Sequence, residues 1–194
     1  MRAFIFASFA LALVSGCAST RPVELAYQAS TSATAFEVGT SLTVGTVRDE
    51  RTNGANWIGA IRGGYGNPLK VLETEKPVKD VVKELFVQGL AARQLAPDSE
   101  ASRTLDVSIV ELNSSQYVRR EAHVELSAEV VDAASGKVLW SGRGSADDVN
   151  GSILAMNTGI FADPEALRSL LDATLQTAID EILDDPDMRR ALKQ

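Results

Sequence analysis

The sequence predicts an α+β fold, a two-layer α/β sandwich in which two long helices cover one face of a mixed, mostly antiparallel sheet of about five strands. Five short segments show the alternation of apolar and polar residues that half-buried strands require. Two longer segments carry apolar residues at helical spacing instead. Each helix has one apolar face and needs an apolar sheet face to cover, so two layers follow.

The first strand is predicted at residues 42–47 and the second at residues 69–73. The first strand ends in the charged sequence Val47-Arg48-Asp49. The stretch 53–67 between them is rich in glycine and asparagine. These residues permit the positive φ angles of tight turns, so this stretch is predicted to be irregular.

The first helix is predicted to begin at Pro77, a residue type favoured in the first helical turn, and to end near Leu95, before Pro97. Its apolar residues recur three and four positions apart: Val78, Val81, Val82, Leu85, Phe86 and Leu90. The buried face of this helix is therefore continuous over its whole length.

Three strands are predicted next, near residues 105–110, at 118–130 and from residue 137. Turn signals separate them, so they should form an antiparallel meander. The middle strand has one apolar and one polar face, which predicts that one side of the sheet meets solvent. The first helix would let strand one pair in parallel with the first strand of the meander, through a right-handed crossover.

The second helix follows an irregular stretch, residues 147–162. It is predicted to begin after Asp163, a good capping residue, with Pro164 in its first turn. Its apolar stripe runs to Leu183, and residues 187–193 are predicted to add a short helical tail.

The first 16 residues are typical of a secretory signal. A positive Arg2 precedes an apolar run at residues 3–14, which is shorter than the roughly 20 residues of a transmembrane helix. Val14-Ser15-Gly16-Cys17 matches the lipobox of bacterial lipoproteins. We therefore predict cleavage before Cys17 and lipidation of Cys17, which anchors the chain in a membrane.

Ala18, rather than Asp, follows the cysteine and favours the cell outer membrane, with the domain facing the periplasm. Residues 17–39 are rich in Ser, Thr and Ala and are predicted to be the acylated cysteine and a flexible tether. Residues 40–194 are predicted to form a single α/β domain. Alternation at Val23, Leu25 and Tyr27 suggests that a short piece of the tether lies extended against that domain.

Composition excludes several classes of function. The formal net charge of −7, without a basic cluster, argues against nucleic acid as a partner and against docking on anionic lipid. Once Cys17 is acylated no thiol remains for a disulfide or a thiolate metal site. His123, the only histidine, lies on a polar strand face, so neither a catalytic triad nor a usual zinc site is predicted. Asp147-Asp148 is interpreted as a solvated turn rather than a calcium loop. We expect no enzymatic activity, no metal and no cofactor.

The sequence resembles the YajG family of small, uncharacterised Gram-negative outer-membrane lipoproteins. The resemblance rests on the lipobox, the Val47-Arg48-Asp49 exit, a glycine-bearing loop, the helix end Leu90-Ala91-Ala92-Arg93, the strand Leu105-Asp106-Val107-Ser108-Ile109 and a C-terminal helix. It spans roughly residues 23–190. The resemblance implies a location and a fold but no activity, because the family has none assigned. A second likeness is to auxiliary lipoproteins of lipid transporters.

Trp57, Ile61 and Tyr65 are the candidate partner-binding residues, because they are apolar side chains among mobile glycines. The alternative is that Trp57 and Ile61 fold back as a lid on the core. We predict a non-enzymatic envelope module that contacts another envelope protein or the cell wall through the sheet face or this loop; the oligomeric state is left open. The alternative function is binding or transfer of a small apolar ligand such as lipid, which would need a cavity under the helices.

Overall fold

The computed structural model describes residues 18–28, 30, 33–96, 98–151 and 159–193. Cys17 and the predicted signal peptide lie outside the described residues. The elements are β1 (Ser19–Val23), β2 (Thr43–Asp49), β3 (Trp57–Arg62), β4 (Pro68–Thr74), α1 (Val78–Ala92), β5 (Arg103–Gln116), β6 (Arg120–Asp132), β7 (Val138–Asn150), a 3-10 turn (Gly159–Phe161), α2 (Pro164–Leu183) and α3 (Pro186–Ala191).

The seven strands form one mixed sheet in the order β1-β4-β3-β5-β6-β7. β2 and β3 both pair in parallel with one edge of β5, β2 at residues 104–109 and β3 at residues 114–116. β1 pairs in parallel with β4, whereas β3–β4, β5–β6 and β6–β7 are antiparallel. The sheet therefore has seven strands rather than the predicted five or so. Three of its strand pairs are parallel and three are antiparallel, so it is not mostly antiparallel as predicted.

The central architecture agrees with the sequence prediction. β5, β6 and β7 form the antiparallel meander. β2 pairs in parallel with β5, and the chain that connects these two strands includes α1. α1 and α2 bury their apolar stripes against the same sheet face; those of α2 are Leu167, Leu171, Leu175, Ala178, Ile179 and Ile182. This i, i+4 spacing places them on one face of the helix, so they meet the alternating apolar residues of β5 and β6.

β3 lies within the stretch that was predicted to be irregular. It pairs with β4 on one side and with β5 on the other, so it is an interior strand. Gly59 explains the error. A side chain at Gly59 would overlap Ser114 of β5, so this glycine permits a close approach of two strands rather than a turn.

Arg51 fills the place where the edge of β5 passes from β2 to β3. Its guanidinium donates to the backbone oxygens of Trp57 at 2.8 Å and Leu112 at 3.0 Å, and pairs with both carboxylate oxygens of Asp49 at 2.8 Å. The Arg51 side chain is only 3% exposed. It therefore supplies hydrogen bonds that an uninterrupted strand would otherwise supply. The hydrogen bonds from Arg51 lower the pKa of Asp49 and outweigh the opposing effect of burial.

The segment predicted as a tether contributes to the folded domain. β1 is an edge strand of the sheet, and Leu25 is buried in the core. The pattern at Val23, Leu25 and Tyr27 thus agrees with the suggestion that this piece lies against the domain. The Ser/Thr-rich composition concealed β1 because its partner, β4, lies about 50 residues further along the chain (Ser19 pairs with Lys70).

A buried arginine holds this N-terminal segment to both long helices. Arg93, at the end of α1, is fully buried and binds Asp184 through Nε at 3.0 Å and Nη2 at 2.5 Å. It also donates to Asp180 at 2.9 Å and to the Tyr27 hydroxyl at 2.8 Å. Tyr27 in turn donates to Asp180 at 2.6 Å. We call Arg93, Tyr27, Asp180 and Asp184 the Arg93 cluster.

Candidate interaction surfaces

The sheet face opposite the helices is open. β5, β6 and β7 contain 14, 13 and 13 residues, more than twice the usual strand length of about 5–6 residues. At about 3.4 Å per residue they make a face roughly 45 Å long. The alternation that buries Val124, Leu126 and Ala128 under α2 leaves the intervening side chains on the open face, as the polar face of the middle strand predicted.

A shallow trough of about 570 Å³ lies on this open face. Acidic and basic side chains both line it: Arg48, Glu50, Asp106, Glu129 and Arg143, together with Ser141. Arg143 pairs across strands with Glu125, and its side chain is 64% exposed. A trough with both signs of charge on exposed side chains suits a polar partner better than an apolar one.

The open face also carries the only histidine of the chain. His123 lies there with Nδ1 2.6 Å from Oδ1 of Asp147. Asp148 is on the other side of β7, where it accepts a hydrogen bond from Thr174 Oγ1 at 2.8 Å. Asp147 and Asp148 are thus strand residues, not a solvated turn. No group of three or more potential metal ligands occurs among the residues that the structure describes.

The second notable surface is one end of the sheet, where six strands finish in register. Ser19 pairs with Lys70, Lys70 with Ile61, Ile61 with Gln116, Gln116 with Arg120 and Arg120 with Asn150. The described residues beyond this row are 62–69, 117–119, 151 and 159–162. We call these residues the loop end.

The loop end exposes four large apolar side chains, Tyr65, Tyr117, Val118 and Phe161. Tyr65 and Phe161 are 102% and 76% exposed. The Tyr117 hydroxyl donates to the backbone oxygen of Gly64 at 2.7 Å and so ties two of the loops together. Near the third, Lys70 Nζ donates to the Ala162 oxygen at 2.8 Å. Exposed aromatic residues held on tied loops are typical of a contact surface.

The three predicted partner-binding residues are separated by the fold. Ile61 is fully buried in the core, because β3 is an interior strand, so its prediction as a partner residue was wrong. Trp57 is half-buried at the start of β3. Tyr65 alone of the three is fully exposed, at the loop end. Cys17, the predicted lipidation site, lies outside the described residues and stays a prediction.

The sequence interpretation missed Tyr117, Val118 and Phe161 as surface residues. Val118 was assigned to the apolar face of a strand, but β6 begins only at Arg120. A usable signal was present in the charges. Residues 63–69 contain no charged side chain, which is unusual for an exposed loop in a chain with 23% charged residues.

The fold is a small α+β domain with one long open sheet face. Residues 28–193 match the model of Lipoprotein_16, described as an uncharacterized lipoprotein family. The chain belongs to that family, which confirms the YajG-type resemblance. No curated protein matches the chain significantly. In the described part of the chain no helix is long and apolar enough to cross a membrane.

Solved structures share the fold at low sequence identity. Protein XCC0632 from Xanthomonas campestris, of the DUF330 family, is 14% identical, with 89% of this chain and 96% of that chain covered and a TM-score of 0.63. A proposed lipoprotein from Caulobacter crescentus is 22% identical over 60% of this chain and 85% of that one, with a TM-score of 0.43. The first of these similarities supports the overall fold and nothing further.

Proposed function

We propose that the chain is a lipoprotein anchored in the cell outer membrane through Cys17, whose periplasmic domain is a non-enzymatic interaction module. The open sheet face is its binding surface, and another envelope protein is the partner. The observation that carries this proposal is the polar trough on a long face that no element of the described structure covers.

The partner follows from the chemistry of the trough. Arg48 and Arg143 offer guanidinium groups, and Glu50 and Glu129 offer carboxylates within the same trough. Such a mixture favours a surface with complementary charges of both signs, which a folded protein provides. The predicted lipid anchor would keep the domain beside other envelope proteins, which raises their effective concentration.

Photocrosslinking in intact cells tests the proposal. A photocrosslinking amino acid in place of Ser141 lies on the rim of the trough, and the same amino acid in place of Ala91 lies on the exposed side of α1. We expect a discrete protein adduct from position 141 and not from position 91. The Arg143→Glu substitution should weaken the adduct severalfold. Equal labelling at both positions would contradict the open face as the binding surface. Adducts to cell-wall glycan instead of protein would show that the partner is the cell wall, which would contradict the protein partner.

The alternative, apolar-ligand function has a groove beside α1 rather than a cavity under the two helices. The groove has a volume of about 440 Å³ and lies between the N-terminal segment and α1; its lining combines apolar and charged side chains, namely Val23, Leu25, Val81 and Leu85 with Glu24, Glu75, Lys76 and Glu84. Gln88→Trp would fill this groove, whereas Ala91→Trp on the same helix would not. If lipid extracted with the purified chain falls in the Gln88→Trp variant alone, the groove holds an apolar ligand.

A further inference from the structure

The point where the chain leaves the domain fixes the position of the proposed anchor. β1 begins at Ser19, and its first residue lies in the row that ends the sheet, next to Lys70. Only Ala18 stands between Ser19 and Cys17. A fully extended chain spans at most about 3.3–3.6 Å per residue, so a connection of two residues reaches roughly 7 Å. The connection is therefore far too short to hold the domain away from its anchor.

The same end of the sheet carries all three exposed aromatic side chains of the described residues. Of the eight large apolar side chains that these residues expose, Tyr65, Tyr117, Val118 and Phe161 lie at the loop end, and the other four are valines elsewhere in the fold. Tyrosine and phenylalanine at such a place are suited to the boundary between lipid headgroups and acyl chains. The anchor and the apolar surface thus point in the same direction.

The charge pattern of the loop end also fits a lipid surface. Its described residues include Arg62 and Arg119 and no carboxylate, although the chain as a whole has a net charge of −7 and Asp163 follows directly after residue 162. Arg120 follows directly, and Arg119 lies 3.6 Å from its neighbour Glu121, a partly exposed pair that leaves the guanidinium accessible. Basic side chains beside an apolar patch contact lipid phosphates while the patch enters the interface.

We propose that the loop end is a membrane-contact surface, which rests on the phosphorylated headgroup layer of the bilayer that holds the Cys17 anchor. This inference rests on the proposed function, because it takes Cys17 as acylated. Tyr65 and Phe161 enter the interface, and Arg62 and Arg119 face the lipid phosphates. The strands then stand on the membrane, so the open face points sideways and stays free for a protein partner. The sequence-based expectation that the domain avoids anionic lipid is thereby reversed for this one end.

Site-specific labelling of the full-length acylated chain tests the orientation. Because acylation occupies the native cysteine, one new cysteine can carry an environment-sensitive fluorophore. The test variants are Tyr65→Cys and Phe161→Cys, which alter exposed side chains. The control is Ala134→Cys, in the exposed turn at the other end of β6. β6 has 13 residues, so at about 3.4 Å per residue the control label sits roughly 40 Å from the loop end.

The labelled chains are reconstituted into vesicles of phosphatidylethanolamine with a minor fraction of phosphatidylglycerol, and quenched with aqueous iodide. We expect quenching at positions 65 and 161 to fall at least about threefold on reconstitution, since side chains in the interface are buried by about 5–10 Å. Quenching at position 134 should not change. Protection at one test position with an unchanged control also supports the proposal.

Two results would overturn it, and they differ from a failure of the proposed function. If the chain floats with the vesicles but positions 65, 134 and 161 are quenched alike, the anchor holds and the loop end does not contact the membrane. Protection of positions 65 and 161 in cells but not in vesicles would mean that a protein covers this end instead. If the chain does not float with vesicles at all, Cys17 is not a lipid anchor, and the proposed function fails together with this inference.

Discussion

Replacing Arg93 with methionine removes the one buried charge among the contacts that hold the N-terminal segment against the helices. The Arg93 side chain is fully buried, and its guanidinium contacts Asp184, Asp180 and Tyr27. Burial alone would lower the pKa of Arg93, but the hydrogen bonds that Arg93 donates to Asp184, Tyr27 and Asp180 raise it, so the group stays charged. Methionine is close to arginine in length and is apolar, so the substitution removes the charge with little change in packing.

The cost follows from what remains buried. Loss of one partner of a buried ion pair costs about 3–5 kcal/mol. The Asp180 and Asp184 side chains are 20% and 33% exposed, so water can compensate them in part. We therefore expect a loss near the lower limit, about 3 kcal/mol, which lowers the Tm of a domain of this size by roughly 6–12 °C. Tyr27 also loses a partner, so amide hydrogen exchange in β1 should become faster.

Urea denaturation, followed by tryptophan fluorescence, measures this loss in the chain without its signal peptide. Arg190→Met is the matched control, because Arg190 pairs with Asp187 at 2.8 Å but both side chains are about two-thirds exposed or more. Such a surface pair contributes at most about 1 kcal/mol. If the two variants lose the same free energy of unfolding, or if β1 exchange does not change in Arg93→Met, the Arg93 cluster does not hold the N-terminal segment.

Three further predictions concern the sheet. Arg51→Met leaves Asp49 and two strand carbonyls without their donor, and should lower the free energy of unfolding in urea by about 2–4 kcal/mol. Asp49→Asn should be less stable than the native chain at neutral pH. Because the folded pKa of Asp49 is depressed, its contribution is present above its unfolded pKa of about 4 and is lost as the pH falls through the lower folded pKa. Denaturation at a series of pH values should show the two chains converging in acid; a constant difference would refute this. Gly144→Ala forces a methyl group against the Ala178 carbonyl and should lower the free energy of unfolding by about 1–3 kcal/mol, measured as a lower Tm in thermal denaturation. Gly64→Ala is the control, because a methyl group there meets open space, and its Tm should change little.

The helices were predictable because their signals are local. Asp163 caps α2 as expected, since its side chain accepts a hydrogen bond from the Glu165 amide at 3.0 Å. α1 begins at Val78, one residue after Pro77, and runs to Ala92. Caps, prolines and apolar spacing are all read within a few residues, so long-range contacts were not needed to find these elements.

The two missed strands depend on partners that the sequence does not reveal. β1 contains serine, threonine and proline, and its side chains are mostly exposed, so it has no alternating pattern. Pro22 is compatible with an edge strand only. β3 is buried along most of its length and includes Gly59, so glycine was interpreted as a turn signal rather than as a point of close strand contact.

The candidate surfaces were predicted in part for the same reason. Tyr65 was recognised because its glycine-rich surroundings mark an exposed turn, and it is exposed. Ile61 has the same composition around it, but pairing on both sides places it in the core. The assembly of three separate loops at one end of the sheet, which adds Tyr117 and Phe161, is a property of the strand register and could not be found from any single segment.

The proposed lipid on Cys17 is the central claim, because both the proposed interaction module and its proposed orientation on the membrane depend on it. Mass spectrometry of the chain extracted from cell membranes tests it most directly. We predict a polypeptide that begins at Cys17, with a diacylglycerol on the sulfur and an acyl chain on the new amino group. A chain that retains residues 1–16, or that begins at Cys17 with a free thiol, would contradict the anchor and with it the proposed function.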